Sequence, residues 1–179
     1  MGDHFQTIVD KDVSDDEAPR LAERIREWLV SRRIIDSELS DCTLGDPGHP
    51  PGPAYASVSE SPSSHVLELR TNGVQLQVGR TVFWTLFEDL TCRACGHRFA
   101  PGDGWSEAVE AWYEGDDAVT FPCPDCGKPE RLVDWEGEFP WGFGNLGFTF
   151  WNWPPLSASF VREVTELLGH RSVLVRGKL

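Results

Sequence analysis

Two cysteine turns constrain this chain more than any other feature. Cys92-Arg93-Ala94-Cys95-Gly96 and Cys123-Pro124-Asp125-Cys126-Gly127 share one CxxCG pattern, with 27 residues between Cys95 and Cys123. Two residues between cysteines let both thiolates of a turn reach a single ion. A second such turn completes the four soft ligands that tetrahedral zinc prefers. The glycine after each second cysteine fits, because a turn that wraps backbone N–H groups around sulfur needs a residue tolerant of positive φ. Cys92, Cys95, Cys123 and Cys126 are therefore expected to hold one Zn2+ per chain. Four cysteines leave no coordination position for water, so the ion is expected to support the fold rather than react. A redox dithiol uses one CxxC that opens a helix, and two copies each followed by glycine fit it poorly.

With TCRACGHRF and FPCPDCGKPE as its two knuckles, the segment 91–134 resembles a zinc ribbon, and the resemblance covers nothing outside it. His97 lies close enough to replace a ligand, but with four cysteines at hand it is expected beside the site or on the surface. Cys42, alone and far upstream, is read as incidental. Many zinc ribbons bind nucleic acid, so the resemblance implies that partner. Charge opposes it: the net charge is −13, from 29 acidic against 16 basic residues. Four thiolates around a divalent ion add two more negative charges. Nucleic-acid binding draws on Lys and Arg that displace counterions at phosphates. Residues 101–120 carry six acids and no base. Such a run is most simply a solvated face, and otherwise a surface that steers a basic partner.

Hydrophobic residues make up 40% of the chain and aromatics 11%, enough for a real core and against global disorder. The start, MGDHFQTIVDKD, has neither a basic region nor an apolar run. With reduced cysteines, this places the protein in the cytoplasm. Phe139 to Val161 is uncharged and long enough for a membrane span. Its Pro140, Pro154, Pro155, Asn145 and Asn152 would leave backbone groups unpaired in lipid, so it reads as a turn and a buried strand.

Phe5–Val9 is a strand candidate. A helix follows, capped by Asp16, with Pro19 in its first turn and Leu21, Ile25, Trp28 and Leu29 on one face. Ile34 and Ile35 start the next extended piece. Residues 43–64 are rich in Pro, Gly and Ser and read as a flexible loop, whose PPGPAY could present a polyproline II segment. Asn72-Gly73 predicts a hairpin between 65–71 and 74–80. Val82–Phe87 reads as a more central strand. Trp105, Val109 and Trp112 predict a helix between the knuckles, and 131–135 a strand that leaves the second one. Ser157 and Gly169 bracket a helix carrying Phe160, Val161, Val164, Leu167 and Leu168, before a last strand at 173–175.

Phe5–Ile35 and Gly147–Val175 each read strand, helix, strand. The expected fold is thus α+β, a ferredoxin-like two-layer sandwich formed by 1–90 and 135–179, interrupted by a β-hairpin and the 91–134 zinc ribbon. No Gly-rich phosphate loop, GxSxG elbow, HExxH or nucleophile arrangement is present. The reading is an acidic, zinc-stabilised protein that works through protein contact, as an adaptor or as an inhibitor of a basic partner, of which a bacterial immunity protein is one case. The competing reading is an enzyme or small-molecule binder whose pocket is lined by Trp141, Trp151 and Trp153, with Asp134, Glu136 or Glu138 converging on it. Nucleic-acid binding stands third.

Overall fold

The computed structural model describes residues 2–85 and 89–179. In chain order its elements are β1 (His4–Asp10), α1 (Ala18–Ser31), β2 (Val74–Phe83), β3 (Leu90–Thr91) and β4 (Arg98–Phe99). They continue with α2 (Asp103–Tyr113), β5 (Thr120–Pro122), β6 (Pro129–Arg131), β7 (Glu136–Gly137), β8 (Gly142–Trp151), α3 (Ala158–Leu168) and β9 (Ser172–Lys178). Helices and antiparallel sheets are mixed, which is the α+β class.

The main sheet has the order β2-β8-β1-β9, antiparallel throughout. Alternation along its central strands sends Ile8, Leu146, Phe148 and Phe150 to one face, against Leu21, Ile25 and Leu29 of α1 and Phe160, Val164 and Leu168 of α3. All ten residues of β8 are buried, which explains why the chain carries no charge there. The other face holds Val9, Val175 and Phe83, with Phe5 and Val173 packed against them. Both end helices follow their patterns. Ser157 Oγ accepts from Phe160 N at 3.2 Å, and Gly169 closes α3 in the left-handed conformation at φ 76°. α1 begins one residue later than expected: Glu17, not Asp16, is its N-cap and makes no side-chain cap.

Four expectations are corrected. Asn72-Gly73 turns no hairpin, because both amides donate to the Cys42 carbonyl, at 2.9 and 2.7 Å, and Asn72 Nδ2 donates to the Val66 carbonyl. Ser64–Glu68 is a 3-10 helix that buries Val66, and β2 pairs with β8 instead. Ile35 makes only an isolated bridge to Pro51, so the strand after α1 is β2, which returns after a long excursion. The strand expected over 82–87 is the end of β2, at the sheet's edge rather than its centre, and residues 86–88 lie outside the described ones. Residues 131–135 are mostly a 3-10 turn, Leu132–Asp134, that buries Leu132 and Val133.

Within 43–64, Tyr55–Val58 form a 3-10 helix, and Tyr55 and Val58 are buried in the main core. His49 pairs with Val74 through N–H···O bonds of 2.9 and 2.8 Å, covering the free edge of β2. Between β2 and β8, the chain builds the three-stranded sheet β4-β3-β7 and the hairpin β5-β6. Their core joins Leu90, Trp105, Trp112, Leu132 and Trp135 to Trp141 and Phe143, the last contributed by β8. Arg171 also links Asp12, at the end of β1, to Asp134 at 3.2 Å. No described helix is long and apolar enough to cross a membrane.

Candidate metal centre

The two knuckles have the same backbone construction. In the first, Gly96 N donates to Cys92 O at 2.8 Å and Cys92 N to His97 O at 2.9 Å. In the second, Gly127 N donates to Cys123 O at 2.9 Å and Cys123 N to Lys128 O at 3.0 Å. Both glycines are left-handed, with φ of 74° and 69°, as the CxxCG pattern requires. The β3-β4 and β5-β6 hairpins position these turns and bring four sulfurs together.

The sulfurs of Cys92, Cys95, Cys123 and Cys126 all lie within 4.8 Å of one another. Cys92 to Cys126 and Cys95 to Cys123 are each 3.8 Å apart. Ligands about 2.3 Å from a central ion in a tetrahedron are separated by about 3.8 Å, so the spacing fits a tetrahedral thiolate ion such as zinc. Four sulfurs this close together could hold a metal ion.

Two of the four thiols, Cys92 and Cys95, are pushed in opposite directions. Burial works against a thiolate at Cys92, but the N–H groups of Cys95 and Ala94 and the neighbouring thiols outweigh it and bring Cys92 down to about 7. At Cys95 the N–H of His97 favours the thiolate, yet burial and the three other thiols together push it up to about 12. Four clustered sulfurs cannot all ionise without a cation among them, which a divalent ion supplies.

Cys92 and Cys123 are buried, whereas Cys95 and Cys126 are exposed. His97 turns away and stacks on Phe99, with ring centroids 5.7 Å apart. Cys42 is buried elsewhere, and its thiol donates to Gly48 O at 3.3 Å. Beneath the knuckles, Trp135 Nε1 donates to Phe121 O and Trp141 Nε1 to Trp135 O, which fixes the aromatic shell.

A pocket lined by Trp141, Trp151 and Trp153 does not form. Trp141 stacks on Trp105 at 5.3 Å in the cluster around the cysteine turns. Trp153 packs on Phe150 and Tyr55 on the helix side, and Trp151 meets Phe5 on the opposite sheet face. The adjoining carboxylates are engaged: Glu136 by Arg93 at 2.8 Å, Glu138 by Arg98 at 2.9 Å and Asp134 by Arg171. Asp10 and His49 are buried ionisable residues that were not singled out from sequence. Asp10 is fully buried and accepts from Asp12 N, Val13 N and His170 Nδ1, the last at 2.8 Å. It ties the end of β1 to the turn after α3. Only the apolar run before it hinted at its burial. No protein-family model, curated protein or solved structure matches the chain.

Proposed function

We propose that Cys92, Cys95, Cys123 and Cys126 hold one structural zinc ion, and that the protein acts by contact with another protein, as an adaptor or as an inhibitor of a basic partner. The observation that carries this reading is the four-sulfur cluster at tetrahedral spacing, which leaves a bound ion no free position for a reactant. The diverging tryptophans and arginine-paired carboxylates add no catalytic constellation elsewhere in the aromatic stretch. Soft thiolate ligands favour zinc over hard divalent ions, and reduced cysteines suit a reducing compartment such as the cytoplasm.

The architecture agrees with a ferredoxin-like sandwich. β1, α1, β2, β8, α3 and β9 run β-α-β-β-α-β, with β8 between the two strands that α1 connects and β1 between the two that α3 connects. The ribbon then occupies the loop between β2 and β8. Charge supports a basic protein rather than a nucleic acid, since the chain repels a polyanion as a whole.

Affinity capture from the native cell, with the zinc-loaded chain and with Cys123→Ser as baits, tests this. The expected result is a partner richer in Lys and Arg than in acids, held by the first bait only. Capture of no partner, or of nucleic acid in its place, overturns the reading.

A further inference from the structure

The two most exposed aromatic side chains among the described residues are Trp84 and Tyr113, 53% and 48% accessible. They stand on the same groove. Its volume is about 360 Å³, and Val82, Trp105, Val109 and Phe143 line it with them, between the end of β2 and α2. Exposed aromatics around an apolar depression are a common form of interaction site.

The exposed face of α2 beside the groove is acidic. Along α2, Asp103, Glu107, Glu110 and Glu114 are all exposed. Helical spacing places Glu110 beside both Ser106 and Tyr113 at the mouth of the groove. Arg80 is the basic residue nearby on β2. It is occupied, by Asp117 at 2.8 Å and by the Trp112 carbonyl at 2.9 Å. Its guanidinium also lies over the Trp112 ring.

We infer that this groove is the contact surface, and that it takes a bulky apolar side chain presented by a partner segment flanked with Lys or Arg. The apolar walls bury the side chain, and the α2 acids meet the flanking charges. α2 is held between the two knuckles, so the ion supports the groove without touching the partner. This rests on the protein-contact reading above and narrows it to one surface.

The test uses the zinc-loaded full chain and two synthetic peptides of one amphipathic pattern. One has leucine and lysine around a central phenylalanine, and the other has glutamate in place of lysine. Binding is followed by amide NMR shifts and by Trp84 fluorescence. The lysine peptide is expected to shift groove resonances, to bind more weakly as salt rises, and to outbind the glutamate peptide by at least about tenfold. Trp84→Ser, an exposed change that leaves the core intact, is expected to weaken it by about tenfold. Glu110→Lys with Glu114→Lys is expected to do the same. Leu39→Ser, exposed but outside the groove, leaves binding unchanged.

Equal binding of both peptides, no binding, or loss of binding equally in Leu39→Ser overturns the inference. So does a concentration-dependent dimer that Trp84→Ser dissolves, which would assign the groove to a second copy of this chain. A native partner held equally by wild type and Trp84→Ser overturns the groove while protein contact stands. Capture by neither overturns both.

Discussion

At the scale of single residues, the four-cysteine site rests on two glycines as well as on its cysteines. Gly96 and Gly127 meet nothing within 4 Å of an added Cβ, so space does not require glycine at either position. Their positive φ does, since a side chain held in the left-handed region costs about 1–2 kcal/mol. Gly127→Ala is therefore expected to weaken metal binding by about tenfold without abolishing it, as measured by competition with a chromophoric chelator. His49 sets a pH dependence. Burial of its ring lowers its pKa below the ordinary value, although Asp36 O accepts from Nδ1 at 3.0 Å and favours the protonated ring. Below about pH 6.5 the unfolded chain takes up a proton that the folded ring resists, so stability present at neutral pH declines as pH falls. Urea midpoints are expected to drop between neutral and mildly acidic pH, and His49→Asn to flatten that slope.

At the scale of elements, legibility tracked how local the determining contacts are. The CxxCG turns, α2 and both ends of α3 are set by residues within a few positions of one another. Trp105, Val109 and Trp112 marked a helix, and all three pack in the cluster that holds Cys92 and Cys123. Ser157 is one such local determinant. Ser157→Ala is expected to cost about 1 kcal/mol in thermal or urea unfolding, because Phe160 N loses its acceptor. Asn72-Gly73 misled for the opposite reason. Its turn propensity was overridden by the Cys42 carbonyl, which lies 30 residues away and takes both amides. Ile34 and Ile35 read as a strand because they are apolar and β-branched, yet they are buried against the core from an irregular segment. The loop composition of 43–64 gave no sign that Tyr55 and Val58 enter that core, since burial of two residues leaves no period.

At the scale of the whole molecule, β8 contributes side chains to two hydrophobic clusters. Phe148 and Phe150 serve the helix-covered core, while Phe143 serves the cluster around the cysteine turns, against Trp112 at 5.1 Å. The helix-covered core is apolar without help from the metal. The short strands that flank the cysteine turns are not long enough to stand alone. A strong chelator is thus expected to free amides in 91–134 to exchange with deuterium while those of β1 and β9 stay protected. Global exchange on chelation would show that the ion holds both cores. The central claim is that four sulfurs close the coordination sphere. X-ray absorption at the zinc edge of the natively purified protein tests it most directly, with four sulfur scatterers at about 2.3 Å as the predicted shell. A shell containing oxygen or nitrogen at about 2.0–2.1 Å, or no zinc edge at all, would contradict it.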